Sequence, residues 1–401
     1  MTMESLKNLP GFRIEKSNYL ENSYSYASDC FVDQGVRIWL HRIKGKPWGL
    51  LLVVHPMLVL GSSDRSALYQ PKKKSEYQEI VKKVDKLLKS VNIPCSIDKM
   101  KLYRVDVTVN LIFNKNSLVE EYIRILKKSA LLPRYQLDFF REKEHKAKDA
   151  KTANKHSHKQ YCKSAAVFAY DKTAQLEMID KFPAALIGKH VLRLEAQLRR
   201  AGMRKWVGKD GMDGSNWNIL KKLGESSEKI LQWYIKRLQP VHAPYVRYRD
   251  AVELIESVKG KENRKRMLFL LRKTSDCESL TTALEKMEDR HGLSKGQCRG
   301  VLKQFEKLGV HPITLTKGLS LILCKHIRGC KIERNIYKAA AGLTAAPFQQ
   351  DNAVGDGCQG RRLGRRSSKR RIGGAQTLDI RHRRCYSGIR SAKNTANCAW
   401  I

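Results

Sequence analysis

Hydrophobic positions in the first half of the chain alternate between two periods, and the switches mark out elements. "VRIWLHRI" and "WGLLLVVH" (48–55) are apolar runs of strand length, separated by the turn-forming "KGKP", and predict a β-hairpin. Tyr77, Ile80, Val81, Val84, Leu87, Leu88 and Val91 then recur at helical spacing, with Lys and Glu between them and Pro94 just beyond. "YRVDVTVN" (103–110) returns to strict alternation, which predicts a strand with one apolar and one polar face. Ser117 and Glu120 have the spacing of a capping box for a second amphipathic helix in "SLVEEYIRILKKSA". "YQLDFF" (135–140), "YCKSAAVFAYDK" (161–172) and "KHVLRLEAQLRR" (189–200) are further strand candidates, the first two separated by a long basic loop (141–160). Strand pairs interrupted by two helices predict an α+β domain, its antiparallel sheet covered on one face and free for a ligand on the other.

From about residue 215 the period is helical throughout. In "LSKGQCRGVLKQFEKLGV" (293–310), Ser294 can cap a helix that leaves Lys295, Gln297, Arg299 and Lys303 polar. This fits the second helix of a helix-turn-helix, and equally an ordinary surface helix. The division that follows is an N-terminal segment (1–34), a sheet domain (35–205), a helical connector (206–240), a helical domain with a helix-turn-helix candidate (241–335) and a basic tail (336–401). After Lys338 the tail holds ten Arg against two Lys. It reads either as a disordered phosphate-binding arm or as coding sequence from another frame or fragment, and no site is assigned to it.

Charge changes the picture most. The formal net charge of +39 over 401 residues exceeds anything solubility requires, so a polyanionic partner is expected, nucleic acid ahead of a membrane surface. No apolar run reaches the length of a membrane span, and the N-terminus lacks a signal-like apolar stretch. The ten cysteines are scattered without a C-x-x-C pair, which argues against a structural zinc site and for reduced thiols in a cytoplasm.

Three strands carry polar residues that a plain sheet does not need: Asp106, Tyr170 and Glu195. Carboxylates on neighbouring strands repel unless a cation lies between them, and a divalent ion with oxygen ligands resolves the conflict. Arg104 and Arg193 offer another solution, because each stands two residues before a carboxylate on the same strand face. His55 ends an apolar strand, where packing competes with metal ligation. His156 and His158 resemble a His-hydrophobic-His metal motif, but Ser157 lies between them and the flanks are Lys-rich loop. A strand tyrosine such as Tyr170 is commonly packing. Asp171 and Lys172 follow it, however, so a phenol at a polar edge has a cation two residues away on the same face, as attack on a phosphodiester needs.

"LLLVVHPMLVLG", "YRVDVTVN", "AAVFAYDKTAQLE" and "LRLEAQLRRAGM", in this order, resemble rolling-circle replication initiators of phages and plasmids, particularly the gene II protein family of filamentous phages. The likeness spans roughly residues 35–312. It implies an RRM-like sheet of the HUH-endonuclease type that binds Mg²⁺ or Mn²⁺ and nicks one strand of origin DNA. Tyr170 matches the nicking tyrosine of a "Y-x-K" segment that also holds Lys172, while Asp106 and Glu195 match the acidic residues of two strands. His55 lies where related initiators carry metal-binding histidines, though only one histidine occupies that segment. The implied partners are duplex origin DNA, displaced single-stranded DNA and a host helicase and polymerase, in a bacterial cytoplasm and without a membrane. A relaxase or transposase with the same tyrosine chemistry is one alternative; a non-catalytic DNA- or RNA-binding regulator with an RRM-like sheet is another. Tyr161 or an activated water is open as a second nucleophile.

Overall fold

The computed structural model describes residues 12–16, 23–43, 49–138, 155–277, 279–316 and 334–344. Its elements in chain order are β1 (Phe12–Lys16), β2 (Ser23–Ser28), β3 (Val36–Ile43), β4 (Gly49–Val54), α1 (Pro56–Val59), α2 (Lys74–Ser90), β5 (Lys101–Phe113), α3 (Asn116–Lys127), β6 (Gln136–Asp138), β7 (Ser157–Tyr161), β8 (Ala165–Asp171), α4 (Lys172–Met178) and β9 (His190–Arg199). Helices α5 (Arg200–Val207), α6 (Asn216–Glu225), α7 (Ser227–Leu238), α8 (Tyr248–Glu256), α9 (Lys261–Asp276), α10 (Leu280–His291) and α11 (Lys295–Leu308) follow, then β10 (Arg334–Thr344). The class is therefore α+β, as the alternating periods predicted.

The long central strand β5 carries "YRVDVTVN", and the strand order runs β1-β2-β3-β4-β10-β5-β9-β8-β7-β6 with every pair antiparallel. Val105, Val107, Val109 and Leu111 of β5 share a face with Leu198, Ala196, Leu194 and Leu192 of β9. Helices α3, α6 and α7 cover this face through Val119, Tyr122, Ile123, Ile125, Leu220, Ile230 and Leu231, all buried in one cluster. Each such side chain contributes about 1.5–3 kcal/mol on leaving water. A second cluster sets Tyr69, Ile80, Val84 and Leu88 against Val36, Ile38, Leu50, Leu52 and Val54, so α2 buries its predicted stripe under the β3–β4 hairpin. The turn of that hairpin lies outside the described residues.

Helices α8 to α11 have a core of their own, with Ala251, Ile255, Met267, Leu270, Leu280, Met287, Val301 and Phe305 buried together. This unit joins the sheet domain through Leu280 N donating to Lys128 O (2.9 Å) and Leu131 N to Thr281 Oγ1 (2.8 Å). The carboxylate of Glu121 also accepts from Thr316 N and Oγ1 at 3.1 and 3.0 Å.

Several local expectations change. Helix α3 starts at Asn116 with Lys115 as an N-cap that makes no side-chain bond, so the Ser117–Glu120 box does not form because Ser117 is already inside the helix. The end of the presumed basic loop is strand β7, whose Ser157 and Gln160 are buried; the loop's residues 141–154 lie outside the described residues. Tyr161 belongs to β7, not β8. Residues 334–344, the first two expected in the helical domain and the rest at the start of the tail, form β10 between β4 and β5, while 345–401 lie outside the described residues. Among the described residues no helix is long and apolar enough to cross a membrane.

Candidate active site

Opposite the helices, the sheet presents Arg104, Asp106, Thr108 and Asn110 of β5 in register with Arg199, Gln197, Glu195 and Arg193 of β9. Phe168 and Tyr170 of β8 stand opposite Glu195 and Arg193. Strand alternation alone puts these ten polar and aromatic positions on one face, because every second residue of each strand points the same way. This face is not open to water along its length: Asp106, Thr108 and Arg193 are 0% exposed, as buried as the valines between them. One cover is the segment before α2. Ser66 O accepts from Asn110 Nδ2 (3.0 Å) and Arg193 Nη2 (2.6 Å), while Arg193 Nε donates to Asn110 Oδ1 (2.8 Å).

Tyr170 and Glu195 meet directly. The phenol donates to Glu195 Oε1 at 2.8 Å, and Gln197 Nε2 donates to Glu195 Oε2 at 3.1 Å. Phe168 stacks on Tyr170 with ring centroids 4.6 Å apart, which fixes the plane of the phenol. Tyr170 also lines a small cleft with His156, Asp171, Ala174, Gln175 and Met178. Asp171 caps α4 by accepting from Ala174 N at 3.0 Å and lies 3.7 Å from His156 Nδ1. Burial raises its pKa above the ordinary carboxylate value, partly offset by the Ala174 hydrogen bond and the His156 charge.

Lys172 stands in a different place from the one expected. Strand β8 ends at Asp171 and Lys172 is the first residue of α4, so it does not extend the strand face of Tyr170. Its ammonium is buried and donates to Gln175 Oε1 at 2.7 Å, bringing positive charge to a cleft residue.

Asp106 is bound as the competing reading foresaw: Arg104 Nε and Nη2 reach its two oxygens at 2.9 and 3.0 Å. His55 lies at the β4–α1 junction, half-buried. Its backbone N–H bonds Gly35 O at 2.7 Å, and a Cβ on Gly35, which has φ +81°, would sit 2.7 Å from His55 O, so glycine is required there. Ala339 of β10 pairs with Val54 on one side and Val105 on the other. His55 and Asp106, each one residue further along, are thus level, with about 10 Å between their strands.

His158 takes no part in this face. It pairs with Ala169, on the helix-covered side, and lies 3.3 Å from Gln160 Nε2. Burial, with the Lys127 charge, lowers its pKa to about 4, so it is neutral at pH 7.

A divalent ion is the group the carboxylate pattern predicted, and the donors can be weighed. Asp106 and Glu195 are diagonal neighbours on adjacent strands, but Arg104 engages one and Tyr170 and Gln197 the other. Among the described residues no group of three or more His, Cys, Asp and Glu side chains converges as an all-protein cage requires. Two carboxylates do fit an ion of the Mg²⁺ kind, which commonly takes one or two and completes its shell with water and phosphate oxygens. Gln197, Phe168 and Ser66 were missed in the sequence, although Gln197 had a signal: it shares the strand face of Glu195 two residues on.

Comparison with protein-family models, with curated proteins and with solved structures finds no match to this chain.

Proposed function

We propose that the chain is a nucleic-acid enzyme that cuts and rejoins one DNA strand through a tyrosine. Within that class, the resemblance of its ordered segments favours a rolling-circle replication initiator. The observation that carries the reading is the 2.8 Å hydrogen bond from Tyr170 to Glu195, on the polar face of an antiparallel sheet in a chain of net charge +39.

In this reading Tyr170 Oη attacks the phosphorus of a phosphodiester while its proton passes to Glu195 Oε1. The P–O3′ bond breaks, a 5′-phosphotyrosine ester forms, and the departing 3′ oxygen takes up the proton to leave a 3′-OH. The reverse sequence rejoins the strand without ATP, because the new ester keeps the energy of the old bond. Phe168 holds the ring plane, Gln197 orients Glu195, and Lys172, bonded to Gln175, contributes positive charge beside the phosphate. Asp106 and Glu195, with His55 level with Asp106, are the residues that would hold Mg²⁺ or Mn²⁺; bound there, the ion would offset charge on the phosphoryl oxygens. Duplex origin DNA, displaced single strand and a host helicase and polymerase are the partners this reading carries, in a bacterial cytoplasm.

A non-catalytic nucleic-acid-binding regulator is the second reading, favoured by Asp106 being bound to Arg104 and by the packing of Tyr170 on Phe168. One experiment decides between them. The protein is incubated with a supercoiled plasmid bearing its own origin and Mg²⁺ or Mn²⁺, and nicked circles with covalently attached protein are sought. Absence of an adduct, or nicking by Tyr170→Phe at the wild-type rate, removes the tyrosine assignment.

A further inference from the structure

Helix α11 carries an outer face that its own domain does not explain. Its buried side, Cys298, Val301 and Phe305, packs on α9 and α10. At 100° per residue the opposite side is centred on Gly296 and Lys303 and includes Lys295, Arg299, Gly300 and Lys307, with Glu306 as the sole carboxylate of the helix. The four cations follow one another at i, i+4 spacing, all of them exposed. Like charges at that spacing destabilise a helix, and Lys295 in its first turn also opposes the dipole. None of the four is engaged by a hydrogen bond or ion pair within the described residues.

The glycines are a second, separate anomaly. Glycine inside a helix is less stable than alanine, so its presence calls for a steric reason. Here the fold supplies none: a Cβ on Gly300 would meet no heavy atom within 4 Å, and one on Gly296 only Ser294 Oγ at 3.7 Å. Neither has a positive φ. Bare backbone flanked by unpaired cations is what close approach by a polyanion requires. The presentation is rigid, because Gly292, with φ +60°, ends α10 and a Ser294–Gln297 capping box starts α11 three residues later.

We propose that α11 docks on duplex DNA, lying against the major groove with Gly296 and Gly300 toward the DNA and Lys295, Arg299, Lys303 and Lys307 on the phosphates. The inference rests on the nucleic-acid part of the proposed function and not on its tyrosine chemistry. A groove-sized duplex fits better than a flat membrane or a single strand, because one narrow helical ridge carries the charge and the glycines mark a line of closest contact.

The test measures binding of the full chain to a short fluorescent duplex, and to the same sequence as a single strand, by anisotropy in EDTA at several salt concentrations. Gly300→Ala is expected to raise the melting temperature and weaken duplex binding at least threefold; Gly300→Leu weakens it more than tenfold. Arg299→Gln with Lys303→Gln is expected to lower the slope of log K against log salt by about two. Duplex affinity unchanged in Gly300→Ala and Gly300→Leu would overturn the proposal, and is the outcome if α11 instead serves an acidic protein. Equal loss for duplex and single strand would overturn it too. Because binding is read without metal or turnover, failure of the Tyr170 assignment leaves these outcomes intact.

Discussion

Asp106 and Val107 are neighbours on β5 and both are 0% exposed, yet they belong to opposite worlds. Val107 packs in the helix-covered cluster, where close contact alone stabilises it. Asp106 lies among Arg104, Thr108, Gln197 and Glu195, where each buried polar atom must find a partner of the right sign. Burial therefore does not separate the two faces of this sheet; chemistry does. An apolar face tolerates a conservative change of shape at modest cost, whereas a buried polar face holds groups whose bonds can be exchanged for those of a substrate.

That contrast can be broken or sharpened by four measurements. The largest effect is expected for Tyr170→Phe, which should lower covalent adduct formation on the order of 10⁴-fold or more. Its cost in stability, from loss of the bond to Glu195, is about 1–3 kcal/mol. Leu192→Ala on the helix-covered face should do the reverse, costing about 2–5 kcal/mol in denaturant unfolding with adduct yield per folded molecule unchanged. A fall in adduct yield per folded molecule for Leu192→Ala, or an unchanged adduct yield for Tyr170→Phe, would erase the distinction between the faces.

The third measurement is acid sensitivity. His158 sits on the helix-covered side with a pKa lowered from 6.5 to about 4 by burial, and His311, fully buried in the helical unit, has one lowered to about 3 for the same main reason. The unfolded chain therefore binds protons that the folded chain refuses between these values. Stability from neutral His158 is complete above about pH 6.5 and is lost as pH falls toward 4, amounting to about 3 kcal/mol. His158→Gln should flatten that part of the stability profile; an unchanged profile would show that His158 is solvated. The smallest effect is expected for Arg104→Lys, which keeps the charge beside the buried Asp106 but exchanges a two-pronged contact for a single point charge at about 1–2 kcal/mol. Destabilisation of several kcal/mol there would mean that Asp106 depends on Arg104 far more than a partly exposed arginine implies.

Much of the candidate site was legible strand by strand. Alternation in "YRVDVTVN" placed Asp106 opposite the valines, and the competing salt bridge from Arg104 was visible at a spacing of two. The unread part involves pairs across strands. Register decides that Glu195 stands opposite Phe168 and diagonal to Tyr170, and one residue of slip would have turned it to the other face. The same slip logic removes His158 from the site, since its partner is Ala169. Lys172 was misplaced because alternation was carried past the residue at which Asp171 caps a helix.

The sequence by itself determined what is periodic or summed: the α+β class, the amphipathic stripes of α2 and α3, the cap of α11 at Ser294 and the basic excess. Each follows from side-chain spacing within one element or from composition, and needs no knowledge of neighbours. Tertiary structure alone decided that Tyr170 bonds Glu195, that Ser66 closes over Arg193, and that β10 inserts between β4 and β5. These are contacts between segments far apart in the chain, set by strand register and loop closure, and local pattern carries no information about which distant strand will come to lie alongside.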